Sequence, residues 1–206
     1  MKNFFLMLFI LSMLHIHADI ITNENFESEA AGWSNTTREY VNGTYFLGRF
    51  AGTGGAQAIY KSYALDAGLK DIKIQFDFYE FDSWDGESFY IYINDSLYQS
   101  NPFWTNSHYA NEDKPANAVN LTSGTTDIGF GPWGDEFFRY TINLTNTNIT
   151  TLKLGFGCSL DQGTSDEGWG VDNVFIEATY AVPEPATFLL GFLSLLFVWI
   201  CKRIGF

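Results

Sequence analysis

Ile72-Lys73-Ile74-Gln75-Phe76-Asp77-Phe78 alternates apolar and polar residues without a break. Side chains point to opposite sides of a strand with a period of two, so the even positions make one apolar face and the odd positions one face for water. The same alternation recurs on both sides of it. Phe89, Ile91 and Ile93 interleave with Tyr90, Tyr92 and Asn94, and Leu152, Leu154, Phe156 and Cys158 interleave with Lys153, Gly155 and Gly157. Val174, Ile176 and Ala178 make a last strand. Turn chemistry separates these runs at Asn42-Gly43, Gly52 to Gly55, Asp85-Gly86, Asp161 to Gly163 and Glu167-Gly168. The region from residue 19 to 180 carries no sustained helical stripe and no internal repeat. Half-wet strands joined by glycine-rich turns predict an all-β domain, an antiparallel β-sandwich.

The chain has 206 residues, is 46% hydrophobic and 18% aromatic, and carries a formal net charge of -13. That aromatic content marks a folded chain. Removing Lys2, Lys202, Arg203 and Glu184 leaves 8 basic and 23 acidic side chains between residues 19 and 180, a net charge of -15. With no cluster of Lys or Arg to displace counterions from phosphates, a nucleic-acid partner is excluded. Cys158 and Cys201 are the only cysteines, which leaves neither a disulfide framework nor a cysteine-ligated zinc site. Cys158 has core parity and reads as an inert buried thiol. His15 and His17 fall in the leader, so His108 stands alone in the domain and forms no metal box or catalytic triad.

Both ends read as addresses. Residues 1–18 have Lys2, an apolar run from Phe4 to Leu14 and a small residue, Ala18, at the expected cleavage point, the pattern of a secretory signal. At the other end Val182-Pro183-Glu184-Pro185-Ala186-Thr187 precedes an apolar run from Phe188 to Ile200, then Cys201, Lys202 and Arg203. The prolines bar a helix before Ala186. A helix over 186–201 would be about 24 Å long against a hydrocarbon core of about 30 Å, a marginal transmembrane span. Lys202 and Arg203 orient its end to the cytoplasm. The expected domains are therefore a signal peptide 1–18, an extracytoplasmic β-sandwich 19–180, and a tail 181–206.

The order Pro-Glu-Pro, short apolar helix, basic tip resembles the PEP-CTERM sorting signal of Gram-negative bacteria. That resemblance implies an exosortase-type membrane protease as partner, with Pro183, Glu184 and Pro185 as recognition residues. It also implies transient tethering in the inner membrane before release to the cell surface or extracellular matrix. A permanent single-pass anchor is the alternative. Six Asn-x-Ser/Thr sequons, at Asn35, Asn42, Asn94, Asn120, Asn143 and Asn148, then reflect an Asn/Thr-rich surface in a bacterial host.

Asn25-Phe26-Glu27 with Gly32-Trp33, and Gly168-Trp169-Gly170-Val171-Asp172-Asn173-Val174, are similar to the edges of a MAM-type or carbohydrate-binding-module jelly roll. In those folds an N-terminal acidic residue and the Asp opening the last strand meet and often hold calcium. The resemblance implies Glu27 and Asp172 as metal ligands for a structural Ca2+. Asp172 also shares parity with Val174 and Ile176, which aims its carboxylate inward, a costly placement unless paired or bound to a cation. The other reading is a turn cap on Asp172 and a solvated Glu27.

Glu80-Phe81-Asp82-Ser83-Trp84-Asp85-Gly86-Glu87 is the densest acidic stretch. Its spacing is similar to the ExDxxE signature of jelly-roll β-glucanases, which would make Glu80, Asp82 or Asp85 the carboxylates of a glycan hydrolase. Asp85 replaces the usual Glu there, and Asp-Gly signals a hairpin. A solvated hairpin, or a loop lending oxygens to a cation, therefore stands beside the catalytic reading. Trp84, Phe103, Trp104, Tyr109 and Trp133 lie in loop-like stretches, where rings near Asn and Asp suit sugar faces; capping of the sandwich ends is the alternative. Trp84, Trp104, Tyr109 and Trp133 are the expected ligand-binding residues, polysaccharide the expected ligand, and no catalytic residue is assigned. A hydrolase and a purely structural surface protein are the rival functions.

Overall fold

The computed structural model describes residues 15–104, 115–122, 129–145, 147–182, 199–200 and 203. The leader up to residue 14, His108, Tyr109, Pro183, Glu184, Pro185 and nearly all of the expected tail helix lie outside the described residues. No helix among the described residues is long and apolar enough to cross a membrane.

The strands are β1 His15–Glu24, β2 Arg38–Val41, β3 Thr44–Phe50, β4 Ile59–Ala64, β5 Leu69–Asp82, β6 Asp85–Ile93, β7 Ser96–Trp104, β8 Ala118–Asn120, β9 Glu136–Leu144, β10 Thr151–Cys158 and β11 Glu167–Val182. They build two antiparallel sheets. The larger has the order β2-β3-β11-β5-β9-β8, with β1 also on β11, and the smaller is β4-β10-β6-β7. β1 begins at His15 and β11 runs to Val182, so this pairing extends beyond both expected domain limits, and Ala18 lies within a strand opposite Thr179.

The sheets close over an aromatic core. Phe76 of the large sheet meets Phe156 of the small one at 4.7 Å, and Phe78 stacks on Phe89 at 4.0 Å. Trp169 packs edge-on to Phe89. The four phenylalanines are inward residues of the alternating runs, and all five rings are fully or almost fully buried. Each such ring pair adds about 0.5–1.5 kcal/mol beyond its area. Asn42-Gly43 forms the two-residue turn between β2 and β3, both residues having positive φ, the twist that suits a tight hairpin.

Three local expectations are corrected. The odd positions of β5 are not uniformly wet: Asp77, Tyr79 and Phe81 are buried. Tyr79 and Phe81 join Val41, Phe46 and Phe137 in a second apolar cluster, and Phe130 closes on Phe46 and Phe81. Glu167-Gly168 is not a turn but the start of β11, paired with Asp82 and Phe81. Asp172 does not share the face of Val174. A bulge interrupts the β11–β5 register between Asp172 and Phe175, and Asn173 sits there at φ 50°. An extra residue in one strand reverses which side the following side chains take. Val171 and Val174 both enter the main core, so Asp172 lies on the opposite face with Asp77 and Tyr79. The bulge falls where β11 exchanges one neighbour for another, β3 at Trp169–Val171 and β1 from Val174 onward.

Candidate functional site

The acidic stretch of β5 and β6 is not the expected hairpin: β5 belongs to the large sheet and β6 to the small one, and Ser83-Trp84 carries the chain across from one sheet to the other. Two anchors tie that connection to the start of β11. Ser83 donates from its backbone N–H and its hydroxyl to the Asp166 carbonyl at 3.2 and 3.1 Å, and Trp84 Nε1 donates to the Gly168 carbonyl at 2.9 Å. Trp84 is 1% exposed, edge-on to Phe78 and Phe103. It is a core residue and not the surface platform the sequence suggested, because the short connection folds the indole inward where its N–H finds a carbonyl. Phe103 is buried with it.

Anchoring this crossover brings a carboxylate from β11 against two from β6. One carboxylate oxygen each of Asp85, Glu87 and Glu167 lies within 4.8 Å of the other two. Asp85 is exposed, Glu87 half-buried and Glu167 wholly buried. The Asp85 N–H donates to Glu87 Oε2 at 2.7 Å. Glu167 Oε1 accepts a long 3.4 Å bond from the Gln162 side-chain amide, and Glu167 Oε2 is buried with no donor among the described residues. Burial pushes Glu167 up to about 7; Glu87 pushes the same way, a backbone hydrogen bond from Gln162 opposes, and Asp161 and Asp85 add to the rise. Burial also raises Glu87. Trp104, half-buried and opposite Asp85 in register, lies flat on Gly86: its Nε1 is 3.2 Å from where a Cβ would stand. At φ 128° that position suits glycine on both counts.

Glu80 and Asp82 lead away from solvent. Both are 0% exposed, as is Asp135. The Asp82 N–H donates to Asp135 Oδ1 at 3.0 Å, and Arg49 Nη1 approaches Asp82 Oδ2 at 3.8 Å. Glu136, opposite Glu80, accepts from Asn120 Nδ2 at 3.1 Å. Two of the three candidates, Glu80 and Asp82, are sealed inside the protein, so any pair drawn with Asp85 has at least one inaccessible member and the hydrolase reading lacks an accessible pair.

On the other face of the large sheet, Asp172 accepts from the Tyr79 hydroxyl at 3.2 Å and the Asn173 N–H at 2.7 Å. Burial pushes it up to about 7, those two hydrogen bonds pull it down, and the neighbouring Asp77 and Glu27 charges add to the rise. Asp77 receives a bidentate contact from Arg139, Nε at 2.7 Å and Nη2 at 2.8 Å, and a bond from Asn173 Nδ2 at 2.9 Å. Glu27 is exposed, its Oε1 accepting from Thr44 Oγ1 and the Tyr45 N–H. The structure thus sets Glu27 and Asp172 within electrostatic reach, with Asp172 oxygens taken by protein donors. A cleft of about 210 Å3 opens nearby along Asn23, Glu24, Ser28 and Lys61, its Glu24 already engaged by Trp33 Nε1 and Lys61.

Trp133 is 48% exposed. The surface the sequence analysis missed is the outer side of the small sheet. Tyr60, Gly155, Tyr92 and Leu97 stand in one row across all four strands. The Gln57 amide lies on Gly155, within 2.0 Å of where a Cβ would be, and its Nε2 has no hydrogen-bond partner. The Tyr92 hydroxyl donates to the Gly55 carbonyl, and Lys153 Nζ sits 3.9 Å over the Tyr60 ring and pairs with Asp95. The signal was present in the sequence as tyrosines and glycines at the outward positions of alternating strands, where charged residues are usual. Cys158 is buried, with burial pushing its thiol up to about 12, as an inert core thiol requires.

No family model matches the chain, and no curated protein matches it. Among solved structures it is similar to dimeric latent PorU from Porphyromonas gingivalis, at 10% identity and a TM-score of 0.48 over 82% of this chain. The chain spans only 13% of PorU. It is also similar to the CBM22-1 xylan-binding domain of Paenibacillus barcinonensis Xyn10C, at 11% identity and TM-score 0.40, covering 80% of this chain and 97% of that one. A family 35 carbohydrate-binding module from Clostridium thermocellum is similar at 11% identity and TM-score 0.36, covering 78% and 97%. Carbohydrate-binding modules are thus among the structures this sandwich resembles.

Proposed function

We propose that this protein is an exported, non-catalytic module of jelly-roll type that binds polysaccharide on the outer face of its small sheet. The observation that supports this most is the row of Tyr60 and Tyr92 flanking Gln57 on a glycine floor. Adjacent strands are about 4.8 Å apart, so the two rings stand about 10 Å from each other. Tyrosine rings stack on the C–H patches of sugars while amide, ammonium and carboxylate groups meet the hydroxyls. Lys153 and Asp95 supply the charged groups. Trp133 and Trp104 are further exposed or half-exposed rings of the same reading.

The proposal includes the route outward: export by the leader, tethering by the 186–201 segment, and release by an exosortase-type protease acting at Pro183-Glu184-Pro185. The test of binding is affinity electrophoresis of the full chain through gels holding xylan, β-glucan or an acidic exopolysaccharide. Retardation is expected, and Tyr60→Ala with Tyr92→Ala should weaken it about tenfold per ring, the equivalent of about 1.4 kcal/mol each. Unchanged mobility in every gel, or full retardation of the double variant, would overturn the reading.

A further inference from the structure

We propose that Asp85, Glu87 and Glu167 form a binding site for a hard divalent cation of the Ca2+ type, which ties the start of β6 in the small sheet to the start of β11 in the large one. The proposal is independent of the glycan reading.

The geometry fits such an ion. Ca2+ binds oxygens at about 2.4 Å, so two oxygens on one ion are at most about 4.8 Å apart. The three carboxylates meet that limit pairwise. The group contains only carboxylates, and hard oxygen donors suit Ca2+, whereas Zn2+ draws on His and Cys. Exposed Asp85 leaves one side open for entry and for water to complete the coordination.

A second observation, separate from proximity, points to a ligand. Glu167 is wholly buried, yet its Oε2 has no donor among the described residues. A buried carboxylate is stable when paired, hydrogen-bonded or on a metal. Here its neighbours Asp85 and Glu87 are further carboxylates. Elsewhere in this molecule the chain meets that need itself, as Arg139 does for Asp77. At Glu167 it supplies Gln162 and leaves Oε2 without a donor among the described residues. The rival occupant is a proton shared within the group, which would neutralise one charge and need no ion.

Thermal unfolding of the full-length chain, stripped with EGTA and then given CaCl2, separates the two. With an affinity typical of extracellular calcium modules, about 0.1–1 mM, 10 mM Ca2+ should raise Tm by roughly 3–10 °C. Glu167→Gln keeps the size and removes a buried charge, so it should unfold no earlier than wild type in EGTA and lose the rise. Asp172→Asn, on the far face of the large sheet, should keep it. If Glu167→Gln fails to fold, exposed Asp85→Asn serves instead and should reduce the rise. The proposal is overturned if wild type shows no rise, if the Glu167→Gln protein (or Asp85→Asn in its place) retains the rise in full, or if Asp172→Asn alone abolishes it.

Discussion

Two carboxylates of β11, Glu167 and Asp172, stand five residues apart in sequence, each beside acids of other strands, and the fold treats them in opposite ways. Asp172 and its neighbour Asp77 are met by Arg139, Tyr79 and Asn173, four contacts of 2.7–3.2 Å plus a backbone N–H. Glu167, at the end of the sandwich, faces Glu87 and Asp85, and its Oε2 finds no donor among the described residues. Burial alone therefore does not define a site. The informative difference is whether the chain provides the positive or donating partner. Where it does, the acid is structural; where it does not, something from outside is called for.

That contrast can be broken most forcefully at Arg139. Arg139→Ala removes a bidentate, charge-assisted contact from a nearly buried Asp77 and should cost about 2–3 kcal/mol, reduced from the fully buried case because Arg139 is half exposed. Urea unfolding at pH 8 measures it; a loss under about 0.5 kcal/mol would put Asp77 in the class of Glu167.

pH sharpens the comparison further. A carboxyl raised from 3.8 to about 7 in the folded chain holds its proton more tightly folded than unfolded. Its contribution is complete below about pH 4 and is lost as pH rises towards and through 7. Stability should thus decline between pH 4 and 7.5, and Asp172→Asn should remove roughly 1–2 kcal/mol of that decline. Glu167, raised in the same direction, leaves a residual slope in the variant. An Asp172→Asn profile parallel to wild type would mean that Asp172 is ionised throughout. Smallest is Tyr79→Phe, which deletes one hydroxyl donor to Asp172 and should cost about 1 kcal/mol in the same urea assay. Its effect should vanish in an Asp172→Asn background.

The sequence made much of the architecture readable. Alternation at Ile72–Phe78, Phe89–Ile93 and Leu152–Cys158 identified β5, β6 and β10 and their inward residues, because side-chain direction along a strand follows from backbone geometry alone. Asn42-Gly43 announced its hairpin for the same local reason. The candidate sites were less readable. The parity of Asp172 was misjudged because one bulged residue, Asn173, cancels the count, and nothing in Gly170-Val171-Asp172-Asn173 marks the place where β11 passes from β3 to β1. Trp84 reads as a loop aromatic until the carbonyl of Gly168, 84 residues away, is seen to hold it inside.

Composition, strand period and turn residues by themselves determined an acidic, aromatic, all-β chain, since each of these acts over a few neighbouring residues. Only the tertiary structure decided which acids are buried, which are answered by a donor, and which tyrosines share a row. Those outcomes depend on strand order and register between segments tens of residues apart, and no short-range rule along the chain encodes that pairing.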